Sequence, residues 1–241
     1  MAMPNLGNTV ANLYTDQRDK YTAFANESFS WRFIERPSFD KHLLPIFGPN
    51  TRVVDAGCGV GRTLNYLLES GVQAKNIIGV DINPDMIKVS KQKAPNVRLE
   101  QMNIEELPLP ERSADLIICT HVLHYLDSEQ FFCALSSFYR VLDQGGILFW
   151  IITHPVRTKR KNLEKYFDRE WIMDHTPWGT KSPLYFRPVC DLVNLTLNAG
   201  FELLSLDEPE IDLRGQEADP NEYEKYSACP SRLAIQAVKR T

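Results

Sequence analysis

Apolar and polar positions along the middle of the chain fall into a repeating rhythm. Short apolar runs, "VVDA", "NIIGVD", "NVRLEQMN", "ADLIICTH" and "GGILFWIIT", read as buried strands, several of them ending in a polar residue. Segments with helical spacing lie between them. In "RTLNYLLESG", Leu64, Leu67 and Leu68 share one face and Gly71 stops the helix. "NPDMIKVSKQKA" opens with Asn83-Pro84 in cap and first-turn positions, and "SEQFFCALSSFYRVL" reads as a third helix. Strand and helix alternate, which predicts an α/β, doubly wound parallel sheet.

The rhythm is absent at both ends and is broken once. Up to Pro49, aromatics alternate with polar residues, which predicts helices laid over the sheet. From His154 to Pro188 the chain is rich in aromatic and basic residues, an insert after the fifth strand. "VCDLVNLTLNAGF" then resumes a helix, and "FELLSLDEP" and "SRLAIQAVKR" read as closing strands. The acidic stretch "DEPEIDLRGQEADPNEYEK" between those strands reads as a long solvent-facing loop, and "RTKRKNLEK" as a solvated helix face. The expected organisation is a single domain over 1–241. It comprises an N-terminal helical cap (1–49), a core (50–153), a lid insert (154–188) and a C-terminal helix with closing strands (189–241).

Composition narrows the function classes. With 43% hydrophobic residues the chain can bury a substantial core, and its formal net charge of −4 gives no global pull toward nucleic acid or anionic membranes. No apolar run approaches about 18 residues, so no membrane-spanning helix is expected, and the N-terminus has no basic-then-apolar signal pattern. Five scattered cysteines without zinc spacing point to reduced thiols in a cytoplasmic protein with no metal site.

The stretch "VVDAGCGVGR" carries the sharpest chemistry. Ligands of open α/β sheets bind outside the C-terminal strand ends, and a glycine loop there lets backbone approach a ligand closely. A dinucleotide is one candidate, with Asp81 as the acidic residue that accepts ribose hydroxyls. The spacing is G-x-G-x-G, however, and Asp55 stands two residues before the first glycine. A carboxylate beside a pyrophosphate costs on the order of 1–4 kcal/mol. The same carboxylate favours a ligand without phosphates that carries an ammonium and a sulfonium, as S-adenosylmethionine does.

In series, "VVDAGCGVGR", "IIGVDINPDMI", "MNIEELPLPERSADLIICTHVLHYL" and "FYRVLDQGGILFW" resemble the ordered motifs of the class I S-adenosylmethionine-dependent methyltransferases over about residues 50–152. The later "YFRPVCDLVNLTLNAGFELLSLDEP" resembles the C-terminal part of their small-molecule branch. The resemblance implies a Rossmann-like, seven-stranded, mostly parallel sheet whose last strand is antiparallel. It also implies S-adenosyl-L-methionine as cofactor and S-adenosyl-L-homocysteine as product. Gly57, Gly59 and Gly61 form the loop, the first two under the methionine portion, and Asp55 lies on its ammonium side. Asp81 would hold the ribose hydroxyls and Ile82 the adenine face. Asn103, where many relatives have Asp, would accept from the adenine amino group beside Ile104. Thr120 and His121 would line the path to the methyl group.

Methyl transfer from a sulfonium is a direct displacement, so the protein mainly aligns the acceptor and helps it lose a proton. His121, His124 and His154 are the candidate bases, the first two sharing a face if their segment is helical. Tyr14, Tyr21, Trp31, Trp171, Tyr185 and Arg187 are candidate acceptor contacts, an aromatic wall suiting a flat apolar acceptor or an amine. The expected acceptor is a small molecule, methylated at nitrogen, oxygen or carbon. A monomer and a homodimer both remain open. The rivals are an RNA or protein methyltransferase, an NAD(P)-dependent oxidoreductase, and a protein that binds the cofactor without catalysis. The chain is acidic, and "THVLHYL" stands where base-amino methyltransferases carry an Asn-Pro-Pro-Tyr type run.

Overall fold

β1 (Val53–Ala56), β2 (Ile77–Asp81), β3 (Arg98–Gln101), β4 (Ala114–Thr120) and β5 (Leu142–Thr153) form the parallel part of one sheet in the computed structural model, which describes residues 6–240. The strand order is β3-β2-β1-β4-β5-β9-β8, with β8 spanning Glu202–Asp207 and β9 Arg232–Val238. Only β9 runs against its neighbours, wedged between β5 and β8. The sheet is therefore seven-stranded and Rossmann-like, and the order reverses between β1 and β4. That switch point opens the crevice where such sheets bind ligands. The expected cap begins at residue 1, so its first five residues lie outside the described ones, as does Thr241.

Both faces of the sheet are covered, because successive strand side chains point to opposite sides. Trp150 packs on one face with Phe131, Leu135 and Phe138 of α6 (Ser128–Val141). Its neighbour Phe149 packs on the other with Phe39, Leu64, Tyr66 and Leu67, the last three from α4 (Arg62–Glu69). Local chemistry starts each crossover helix. Asn83 accepts from the amides of Asp85 and Met86 to open α5 (Pro84–Lys93), and Asp127 and Gln130 close a reciprocal capping box on α6.

The N-terminal segment forms α1 (Leu6–Asp16), α2 (Arg18–Glu27), a π-helical turn (Trp31–Glu35) and α3 (Arg36–His42). The insert after β5 holds the short α7 (Pro155–Lys159) and an antiparallel hairpin, β6 (Glu170–His175) and β7 (Lys181–Phe186). Val189–Asn198 forms α8. Two expectations need correction. The acidic stretch is not a long loop: it contains α9 (Arg214–Ala218) and α10 (Pro220–Ser227). Asp219 caps α10 and buried Tyr226 anchors it, stacked on Phe29. Nor is the basic run simply a solvated face, since Arg157 and Lys159 are buried, the first over the Tyr226 ring and the second ion-paired with Glu170. Among the described residues, no helix is long and apolar enough to cross a membrane, and no group of three His, Cys, Asp or Glu side chains is arranged to hold a metal.

Candidate functional site

A cavity of about 220 Å³ opens at the C-terminal ends of β1, β2 and β4. Its floor is the glycine loop. Gly57, Gly59 and Gly61 have φ of 82°, 52° and 82°, which a side chain rarely tolerates. The amides of Gly57 and Cys58 both bond the Val80 carbonyl, and the Gly59 amide bonds Asp81 Oδ2 at 2.9 Å. A Cβ on Gly57 would stand 2.2 Å from Val122 Cγ2. Gly57→Ala is therefore expected to cost about 3 kcal/mol of stability, from backbone strain and the clash together. A drop in the thermal unfolding midpoint measures it; an unchanged midpoint would show that the loop relaxes.

The acids around the loop are in unusual states. Asp55 is completely buried, and neither carboxylate oxygen has a hydrogen-bond partner. Burial, and then the neighbouring Asp81, push its titration up to about 8 against an opposing pull from Arg62. Asp81 is raised by burial too, tempered by the amides of Asn83 and Gly59. Arg62 lines the cavity with its guanidinium 4.5 Å over the Trp31 ring.

The far wall is a polar cluster. Glu35 is buried, and its Oε1 accepts from Arg232 Nε at 2.6 Å and from His121 Nε2 at 3.0 Å. An ionised carboxylate only accepts, so the imidazole carries its proton on Nε2 and keeps a lone pair on Nδ1. Burial lowers the His121 pKa despite Glu35's opposing effect, and lowers that of His124 well below the usual value. Both rings are neutral at pH 7. His121 adopts φ of 57°, a left-handed conformation held by its amide bonding the Ile151 carbonyl at 2.8 Å. Such strain in a non-glycine residue clusters at functional sites.

The roof is aromatic. The turn of the β6–β7 hairpin carries Trp178 onto the N-terminal helices, where its ring lies 5.0 Å from Tyr21, 5.5 Å from Phe24 and 5.8 Å from Tyr14. The Tyr14 hydroxyl meets that of Tyr125 at 2.8 Å.

The structure brings together most of the residues singled out from sequence. Gly57, Gly59, Asp81, Ile82, Asn103, Ile104, Thr120, His121, His124, Tyr14 and Tyr21 all line the cavity. Asn103 Oδ1 already accepts from the Glu105 amide at 3.1 Å, and Thr120 Oγ1 is buried without a partner. Others are elsewhere. Asp55 and Gly61 lie outside the lining, the first completely buried at the end of β1 behind the loop and the second packed against Ser90 where α4 begins. Trp31 is core, its edge against Phe39 and Tyr66. His154 is no base at this site: it accepts from the Val156 amide to cap α7, and its Nε2 lies 2.8 Å from Glu208. Trp171 packs against Tyr185 on the hairpin, away from the cavity. Tyr185 and Arg187 line a smaller neighbouring cavity. Sequence reasoning missed Glu35, Arg232, Arg62, Phe24, Tyr125 and Trp178. For Arg62 alone a local signal existed, its position directly after the glycine loop.

Comparison with known proteins bears on the domain and the fold. Residues 54–150 match a family described as a methyltransferase domain. The chain is 28% identical over 235 residues to an uncharacterized protein of Haemophilus influenzae, covering 86% of this chain and 87% of that one. It is 34% identical over 101 residues to a ubiquinone/menaquinone biosynthesis C-methyltransferase of Campylobacter jejuni, covering 40% of this chain and 42% of that enzyme, less than half its length. A solved S-adenosylmethionine-dependent methyltransferase from Mesorhizobium loti shares the fold, with a TM-score of 0.67 at 19% identity over 89% of this chain and 99% of that one.

Proposed function

We propose that this chain is a class I S-adenosylmethionine-dependent methyltransferase that methylates a nitrogen, oxygen or carbon of a small-molecule acceptor; the methyltransferase-domain match over residues 54–150 and the shared fold support the reading. The observation that carries the reading is Asp55, a buried carboxylate with two unpartnered oxygens beside a glycine loop. Burial keeps it protonated at neutral pH, and only a cation brought beside it would restore the anion. The ammonium of the cofactor's methionine portion supplies one, whereas a nicotinamide dinucleotide would set a pyrophosphate against it.

The residues present fit the cofactor. Gly57 and Gly59 would lie along the methionine portion, with Arg62 toward its carboxylate. Asp81 would accept from the ribose hydroxyls, and Ile82, Asn103 and Ile104 would bound the adenine. Once bound, S-adenosylmethionine would supply a sulfonium-activated methyl group, with S-adenosylhomocysteine as the departing thioether. The protein's part is alignment, exclusion of water and proton removal. The ring roof of Tyr14, Tyr21, Phe24 and Trp178 keeps water out. His121, neutral and oriented by Glu35, would take the acceptor's proton at Nδ1. A cavity under such a roof suits a small acceptor better than a macromolecular one.

Thermal unfolding with S-adenosylmethionine, S-adenosylhomocysteine, NAD and NADP tests the cofactor. A ligand at 100 times its dissociation constant adds about 2.7 kcal/mol of stability. Protection by the two adenosyl-sulfur compounds alone is expected, and protection by a dinucleotide alone would replace the reading. His121→Ala should lower turnover of an identified acceptor by about 10²–10⁴-fold, with S-adenosylhomocysteine affinity little changed. Unchanged turnover would remove His121 as the base.

A further inference from the structure

Beyond His124 the cavity has a neighbour. A second cavity of about 20 Å³ lies against it, and His124, Thr153 and Leu184 line both. That volume holds a single water or one oxygen of a larger ligand. Its far wall carries Arg187, which is 2% exposed. Arg187 Nη2 donates to the Leu126 carbonyl at 2.6 Å, but Nε and Nη1 are buried with no acceptor.

This arginine also has no ion-pair partner among the described residues. The carboxylates that act on it through space are engaged elsewhere: Asp191 pairs with Arg169, and Asp127 caps α6. The Phe131 and Tyr185 rings, with the guanidinium 4.7 and 4.8 Å from their centres, soften its desolvation but accept no N–H bond. A guanidinium does not shed its proton, so it stays charged in this setting. On the cavity side, His124 Nδ1 is likewise buried without a partner.

We propose that the second cavity is the anion end of the acceptor site, and that the acceptor carries a carboxylate that pairs with Arg187 while its nucleophilic atom lies by His121. The inference rests on the small-molecule methyltransferase reading and names the substrate class within it. The space admits one oxygen, which favours a carboxylate over the bulkier phosphate or sulfate.

The test is calorimetric titration of the protein saturated with S-adenosylhomocysteine. The probes are a series of carboxylates from acetate through benzoate to 3-phenylpropionate, each paired with its primary amide. The best carboxylate is expected to bind at least about tenfold tighter than its amide. Arg187→Met should bring the pair to within about twofold, and Arg187→Lys, a second variant that keeps the charge, should retain part of the preference. No carboxylate preference anywhere in the series, or a preference that survives Arg187→Met, overturns the proposal and leaves the cavity to a water. Failure of S-adenosylhomocysteine to bind would instead defeat the methyltransferase reading itself, so the two failures are distinct.

Discussion

Asp55→Asn is expected to make the ligand-free protein more stable at pH 7.5 and to weaken S-adenosylhomocysteine binding about 100-fold. Both effects follow from one enclosed carboxylate. In the unfolded chain it titrates near 3.9, whereas in the fold it titrates at about 8. Between those values the folded state binds the extra proton, so stability falls as pH rises through that window and levels off above about 8. Roughly four units at 1.36 kcal/mol each set a ceiling on the order of 5 kcal/mol. The replacement amide is itself buried without partners, which offsets part of the gain. A net rise of about 2 kcal/mol, or roughly 4–8 °C in midpoint, is expected at pH 7.5. At pH 5 the difference should have fallen by about 3 kcal/mol and reversed sign, the wild type then being the more stable. For the wild type, pairing with the ligand's ammonium restores the anion. Binding should therefore release close to one proton at pH 6–7 and strengthen up to tenfold per unit until about pH 8. Calorimetry in two buffers of different ionisation enthalpy reads that proton directly. Its absence would mean that no cation meets Asp55.

Glu35→Ala is the second large effect. It leaves Arg232 as a buried cation, 5% exposed, whose carboxylate partner is gone. Removing one member of a buried pair costs about 3–5 kcal/mol, roughly 10 °C of midpoint for a chain of this size. Burial alone would raise the Glu35 titration, but Arg232 and His121 together hold it below the usual carboxylate range. A depressed pKa contributes stability above the unfolded value near 4.3 and loses it as pH falls further. The loss on mutation should therefore be full at pH 7 and shrink in acid. Turnover should fall as well, because the His121 ring loses the group that fixes its tautomer. The double variant Glu35→Leu with Arg232→Met separates the two roles. Apolar replacement of a whole pair is near neutral for stability, so the midpoint should recover while turnover does not. Recovery of turnover would show that Glu35 serves folding alone.

The residues that sequence reasoning found and those that it missed differ in one physical respect. Asp55, Gly57, Gly59, Asp81, Thr120 and His121 sit at or just beyond strand ends, so the local apolar pattern positions them once the sheet is inferred. Glu35 and Arg232 meet across 197 residues of chain, and nothing local in "WRFIERP" separates a buried carboxylate from a charge on a helix surface. Trp178 reaches the roof only because Thr176 and Thr180 close a tight turn between paired strands. Alternating aromatics cannot distinguish roof from core, which is why Trp31 was expected at the site and lies beneath Arg62 instead. His154 before a proline looked like a loop residue facing substrate, yet its ring nitrogen opens a helix. In the late acidic stretch the charges concealed two helices, and Tyr226, the ring that anchors the second, lies just past it. Arg157 and Lys159 show the converse, long stems buried with their charges satisfied by a ring and a carboxylate.

The wedged position of β9 has a consequence for synthesis. Arg232 stands at its first residue, and the Glu35 it pairs with belongs to the cap made earliest. A chain growing from the ribosome can close loops early among β1 to β4, whose partners are near in sequence. The edge of β5 stays open until β9 arrives, exposing a long apolar strand to other chains in the interval. The wall behind His121 is finished in that same step. Sheet and site wall thus arrive together and late, and a nascent chain lacking residues 232–238 has neither a sealed sheet nor the Arg232 that pairs with Glu35 behind the His121 ring.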